Sequence, residues 1–335
     1  MVAAAKLDVD ASAPRGGHDT ILADEAPTDR PFAPKARVVP AQTSWAGEYP
    51  FRSRWLGVGT RSGQHLWMHY LDEGPRDAPV VVALHGNPTW SFYWRTLVLA
   101  LRDRYRVIVP DHVGMGLSDR PQAWPYRLTG HVGNVQALLD ALGVSRFSLA
   151  VHDWGGAIGM GVAVARPNDV DKLIVTNTAA FRSKDIPLSI ASVRIPVFGK
   201  LAVLGCNAFA WAATIRAVEK PLAPAAKRGL LAPYGNAHDR IATLRFVEDI
   251  PMKDAHPSWE TLGDIEQKLP LLKDKPMQLL WGDADFCFTP KFRKRWMELF
   301  PRAAVHAWPE VGHYVMEDAP ERALPLMRTF LDGRG

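Results

Sequence analysis

The chain has 335 residues, 47% apolar and 22% charged, which is ordinary for a globular protein and long enough to bury a substantial core. Forty Lys and Arg stand against 35 Asp and Glu with no long run of one sign, which argues against a nucleic-acid-binding arm. Two cysteines, Cys206 and Cys287, are too few for a disulfide framework and fit a reducing, cytoplasmic setting.

Residues 1–45 are rich in Ala, Pro, Asp and Arg without sustained periodicity, so a flexible tail is expected there. Acidic residues fall where an export signal would carry its apolar stretch, and no such signal is expected. From Trp55 the pattern changes. WLGVG and HLWMHYL alternate like paired strands joined by an RSGQ turn. PVVVALHG is a β-branched run of the kind buried on both faces of a sheet. A helix over SFYWRTLVLALRD, a strand at RVIVPD, a helix over HVGNVQALLDALG and a strand at RFSLAVHD follow. WGGAIGMGVAVARP then reads as a helix closed by Pro167, and DKLIVTNT as a further strand. This alternation predicts a mostly parallel sheet flanked by helices.

Between Phe181 and Pro251 no strand is legible, only helical stretches such as NAFAWAATIRAVEK and DRIATLRFVEDI. The alternation resumes with a strand at PMQLLWGD, a helix over PKFRKRWMELF, a strand at AAVHAWPE and a helix over ERALPLMRTFL. The expected organisation is a tail over 1–45, core over 46–180, helical cap over 181–251 and core again over 252–335. The apolar window Ile195–Ile215 approaches membrane-spanning length but holds Lys200 near its centre, with Pro196, Gly199, Gly205 and Asn207. A buried or substrate-lining helical segment is expected instead.

Three loops carry the chemistry. In Val151-His152-Asp153-Trp154-Gly155-Gly156, between a buried strand and a helix of small residues, Asp153 takes the place of a nucleophile on a sharp turn. A carboxylate there points to displacement at saturated carbon, because it leaves an ester that water can cleave where serine would leave an ether. His85-Gly86-Asn87-Pro88 follows the first buried strand, and Asn87 and Trp154 offer neutral N–H donors to a leaving anion. Pro309-Glu310-Val311-Gly312-His313-Tyr314 follows the last strand, and His313 is the expected general base. The acid that orients it is assigned to Asp285 in Gly282-Asp283-Ala284-Asp285-Phe286, with Asp283 as second candidate. The loop after DKLIVTNT offers no carboxylate before Asp185. Asp111 and Asp119, in PDHVGMGLSDRP, read as loop-capping residues.

HGNPTWSFYWR, PDHVGMGLSDRP, VHDWGGAIGMG and PEVGHYVMED together resemble the haloalkane dehalogenase family of the α/β-hydrolase fold, from Trp55 to Leu331. The resemblance implies Asp153 as nucleophile, His313 as base, Asp285 as acid, and Asn87 and Trp154 as halide-binding donors. The late position of the acid and the Asn–Trp pair look like the third dehalogenase subfamily. APYGNAHDRIATLRFVEDIP also resembles members of that group that act as β-lactone decarboxylases in bacterial long-chain olefin synthesis. The first 45 residues match nothing recognised. Epoxide hydrolases share the HDWGG turn but use two cap tyrosines, where residues 181–251 hold only Tyr234.

The expected activity is hydrolysis of an apolar haloalkane through an alkyl ester on Asp153, with β-lactone decarboxylation by the same residue as the alternative. No metal or other cofactor is called for. Expected partners are a small apolar substrate, water and product halide, with homo-oligomers possible; neither nucleic acid nor stable membrane insertion is expected. Apolar cap residues, among them Phe198, Phe209 and Trp211, favour an apolar substrate.

Overall fold

The computed structural model describes residues 32–36, 45–59 and 65–333. Nine strands form one sheet: β1 (Phe32–Ala36), β2 (Arg54–Gly59), β3 (His65–Glu73), β4 (Val80–Leu84), β5 (Arg106–Pro110), β6 (Phe147–His152), β7 (Val170–Thr176), β8 (Met277–Gly282) and β9 (Ala304–Trp308). Their spatial order is β1-β2-β3-β5-β4-β6-β7-β8-β9. The first three pair antiparallel, β3 joins β5 antiparallel, and every pairing from β5 to β9 is parallel. The mainly apolar runs VVVAL and FSLAVH become central strands because helices cover both of their faces.

The helices α1 (Arg95–Leu101), α2 (Leu128–Ala141) and α3 (Trp154–Ala165) alternate with β4 to β7 as the patterning predicts. This is the α/β-hydrolase fold, with a mostly parallel sheet between helical layers. The expected tail is interrupted. Phe32–Ala36 pairs with β2 as an edge strand, the extended backbone being fixed by a partner later in the chain that local patterning does not reveal. The remainder of 1–44, and the RSGQ turn, lie outside the described residues.

Between β7 and β8 the chain forms α4 (Leu188–Val193), α5 (Pro196–Lys200), a π-helical turn at Leu201–Gly205, α6 (Ala208–Arg216), α7 (Pro224–Leu231), α8 (Ile241–Glu248) and α9 (Pro257–Lys268). α9, which the sequence reading leaves out, packs on α2 and α3 of the core. Among the described residues no single helix is long and apolar enough to cross a membrane; Val197–Gly205 and Ala208–Arg216 reach that length only as a pair bent by 75°. α10 (Pro290–Leu299), α11 (Val315–Asp318) and α12 (Pro320–Leu331) complete the chain.

Strand order reverses about β4: β5 lies on one side of it and β6 on the other. The carboxyl ends of β4 and β6 therefore open onto a crevice, the usual place for a ligand in such a sheet. The loops carrying Asn87 and Asp153 begin there.

Candidate active site

Asp153 sits at φ +50°, ψ −127°, a strained conformation for a residue with a Cβ. Its neighbours fix it. Its N–H donates to the Asn177 carbonyl at 3.1 Å, and its own carbonyl accepts from the Gly156 N–H at 2.9 Å and from the Thr178 hydroxyl. Two glycines let the turn close. A Cβ on Gly155 would lie 2.2 Å from the Leu84 carbonyl oxygen, and one on Gly86 would lie 2.1 Å from the Asp153 carboxylate.

The Asp153 carboxylate accepts the backbone N–H of Asn87 at 2.7 Å and that of Trp154. Burial raises its pKa above the ordinary carboxylate value, an effect opposed by the nearby His313 charge and by these two donors. His313 places Nε2 3.7 Å from one Asp153 oxygen and Nδ1 2.7 Å from Asp285. With Nδ1–H given to Asp285, the Nε2 lone pair faces the nucleophile across a gap in which water can be held and activated. Burial alone would lower the pKa of His313, but the Asp285 and Asp153 carboxylates outweigh it and raise it.

Asp285 is itself held, accepting from the Asn177 amide at 2.8 Å and the Cys287 N–H at 2.6 Å. Asp283 points elsewhere, gripped by the Arg293 guanidinium at 3.0 and 2.9 Å. Thus the structure brings Asp153, His313 and Asp285 together and leaves Asp283 out. Asp111 accepts from the Ser91 and Leu117 N–H groups and pairs with His69 in the core, and Asp119 accepts from the Trp67 N–H.

The anion donors differ in their commitments. The Asn87 amide gives one proton to the Thr243 carbonyl of α8 at 3.0 Å, tying the donor loop to the insertion, and its Oδ1 is buried without a partner. The Trp154 indole packs edge-on against Phe246 and lines a cavity beside Asp153.

Two mostly apolar cavities meet at Asp153. One, of about 130 Å³, runs past Trp154, Phe181, Ile186, Val247 and Leu262. The other, of about 360 Å³, runs past His313, Phe198, Val203, Ala212 and Arg216. Asn87, Asp153, Ile190, Phe209 and Cys287 belong to both, so Ile190 and Phe209 stand where they part. Of the apolar residues named from sequence, Phe198 and Phe209 line cavity and Trp211 does not. Burial and the two carboxylates push the Cys287 thiol well up, so it is a neutral wall. Tyr234 donates to the Thr89 carbonyl and lines neither cavity, so no tyrosine of the insertion faces Asp153. Among the described residues no group of three His, Cys, Asp or Glu is set to hold a metal ion.

Two supporting residues escape the sequence reading. Asn177 bridges the ends of β7 and β8, bonding both the Gly282 backbone and Asp285. Asp318 accepts from Gly312 N–H in the His313 loop and from the Glu219 and Lys220 N–H groups of the insertion. The signal for Asn177 is the polar Thr-Asn-Thr ending a buried strand.

Residues 79–198 match the family described as the alpha/beta hydrolase fold. The chain is 43% identical over 295 residues to a cis-3-alkyl-4-alkyloxetan-2-one decarboxylase of Xanthomonas campestris pv. campestris, covering 85% of this chain and 97% of the relative. It is 34% identical over 284 residues to haloalkane dehalogenase 2 of Mycobacterium tuberculosis, covering 82% and 93%. Among solved structures, an ancestral haloalkane dehalogenase superposes with TM-score 0.74 at 27% identity, covering 80% of this chain and 96% of that one. Dehalogenase DatA of Agrobacterium tumefaciens C58 superposes with TM-score 0.72 at 26% identity, covering 90% and 98%. The chain therefore belongs to the α/β-hydrolase family that unites haloalkane dehalogenases with the β-lactone decarboxylases related to them.

Proposed function

We propose that this protein is a decarboxylase of cis-3,4-dialkyl β-lactones, with Asp153 as nucleophile. The observation that carries the reading is the pair of apolar cavities meeting at Asp153. A β-lactone bearing alkyl groups on adjacent ring carbons needs two apolar channels at the reacting centre, whereas a simple 1-haloalkane needs one. The identity to the Xanthomonas and Shewanella oneidensis decarboxylases, 43% and 39%, supports the same choice over the dehalogenases at 34%.

In the first step the Asp153 carboxylate attacks the ring carbon bonded to oxygen. The C–O bond breaks, strain is released, and the ring oxygen leaves as a carboxylate on the adjacent carbon. The remaining N–H of Asn87 and the Trp154 indole are the donors for that charge. In the second step the bond to this carboxylate breaks, its electron pair forms the C=C bond, CO₂ departs, and the C–O bond to Asp153 breaks to restore the carboxylate. Water takes no part. Inversion in the first step followed by anti elimination in the second converts a cis lactone to a cis alkene. The positive charge on His313 favours the ionised form of Asp153.

The second reading, haloalkane hydrolysis, is favoured by the gap between His313 Nε2 and Asp153, which suits a hydrolytic water. The wild type and His313→Gln are supplied separately with a cis-3,4-dialkyl-oxetan-2-one and a bromoalkane, and alkene and bromide are measured. The proposal expects sustained alkene from the lactone in both proteins. With bromoalkane, His313→Gln should give a single burst of bromide and a stable adduct on Asp153. Efficient bromide turnover by the wild type with no alkene would establish the dehalogenase instead.

A further inference from the structure

Seven of the ten large apolar side chains left exposed among the described residues lie between Leu188 and Ile215. Leu188, Val197 and Leu201 are 89%, 81% and 65% exposed, and Ile195, Phe198 and Trp211 are more than half exposed. They sit on α4, α5, the π-helical turn and α6, consecutive elements that pack against one another. The inward side of the same segment is buried through Val193, Val203, Ala210 and Thr214. The segment is thus apolar on both sides, one packed against the protein and the other facing outward. Scattered exposed apolar residues need no explanation, but a concentration of this kind marks an interaction surface.

Charge narrows the choice of partner. Residues 182–228 hold eight Lys and Arg against two Asp and Glu, a net +6, whereas the whole chain nets +5, leaving −1 for everything else. Lys200 is exposed beside Leu201, and Lys227 extends over the Trp211 ring at 5.3 Å. Two copies joined through this face would bring like charges together. An anionic lipid surface offers opposite charge for the cations and hydrocarbon for the apolar side chains. The larger cavity reaches this face, since exposed Phe198 and Arg216 belong to its wall together with Asp153 and His313.

We infer that the α4–α6 face docks on anionic lipid bilayers, lying in the interface without spanning it, and that the larger cavity receives its apolar substrate from that surface. The 75° bend between the two apolar helical stretches suits a segment lying in the interface. Docking follows from the surface alone; only the nature of the cargo rests on the proposed lactone reading.

The test is co-sedimentation of the full chain, without substrate, with vesicles of phosphatidylcholine alone or with added phosphatidylglycerol, at low and high salt. Binding should be about tenfold stronger to the anionic vesicles and should weaken with salt. Val197→Ser with Leu201→Ser, both outside the cavities, should weaken vesicle binding about tenfold. Turnover of a short-chain, water-soluble lactone should be unchanged in that variant. Lys200→Glu with Lys227→Glu should abolish the preference for anionic lipid. The inference is overturned if the wild type does not bind anionic vesicles at low salt, or if the double serine variant binds them equally well. It is also overturned if the wild type forms a larger assembly that the serine substitutions dissociate while vesicles bind nothing. Vesicle binding without alkene production would sink the lactone reading and leave the docking face standing.

Discussion

At Asp153 the backbone is held in a strained conformation so that one carboxylate stands at the junction of two cavities, between two N–H donors and an imidazole. Asp153→Ala should cut turnover by about 10³-fold or more, with the melting temperature little changed, as measured by product formation and thermal denaturation. The two candidate acids separate on geometry. Asp285→Asn should slow bromide turnover by about 10³- to 10⁴-fold because the amide cannot hold the imidazole tautomer. Asp283→Asn weakens only a half-buried ion pair with Arg293 that does not touch His313, and should stay within about threefold. Equal effects would move the acid to the other carboxylate. The pH profile adds a sign. Bromide turnover requires neutral His313, whose pKa its carboxylate neighbours raise despite burial, so this activity should fall as pH drops through that raised value. Alkene formation requires only ionised Asp153, itself raised by burial, so its acid limb follows a carboxylate and not an imidazole. Superimposable profiles for the two products would contradict this division of labour.

At the scale of elements, the site depends on tight joints between loops that are far apart in sequence. Arg95 of α1 is buried and grips Glu317 of α11, directly after the His313 loop, and also pairs with Glu48. Opposite charges satisfy each other there, whereas one removed alone leaves the other stranded. Arg95→Leu should therefore destabilise the fold by about 3–5 kcal/mol, read from chemical denaturation midpoints at constant slope. A loss under about 1 kcal/mol would mean that Glu317 finds water or another partner. Asp318 links the same loop to the insertion through the Gly312, Glu219 and Lys220 N–H groups, so a shift of the insertion is felt at His313.

At the scale of the molecule, the core contains histidines that must remain neutral. His85, His112, His131 and His152 are all buried with lowered pKa values, burial being the main cause in each. For His131 the value falls to about 3, and neither ring nitrogen has a hydrogen-bond partner. The unfolded chain takes up a proton near 6.5 that the folded chain refuses. Stability is thus full above about pH 6.5 and is lost as pH falls toward about 3. His131→Phe should shrink the fall in melting temperature between about pH 7.5 and about pH 5. An unchanged fall would show that His131 does not contribute to acid sensitivity.

The sequence by itself determined the alternating core, because strands buried on both faces must be continuous apolar runs and their crossover helices must carry an apolar stripe. It also determined the positions of Asp153, Asn87 and His313, since each lies in a short motif at the end of a recognisable strand. The sequence narrows the acid to Asp285 or Asp283 and the family resemblance implies Asp285; the hydrogen bond to His313 together with the Arg293 clamp on Asp283 supplies the physical distinction. What only the tertiary structure decided are relations between distant segments. β1 owes its strand conformation to β2, Asn177 meets Asp285 across 108 residues, and the Asn87 amide meets Thr243 across 156. The division of the insertion into cavity wall and outward apolar face belongs to the same class. Periodicity marks which residues are apolar, but only packing decides whether the surface they meet is a core, a substrate channel or the outside of the molecule.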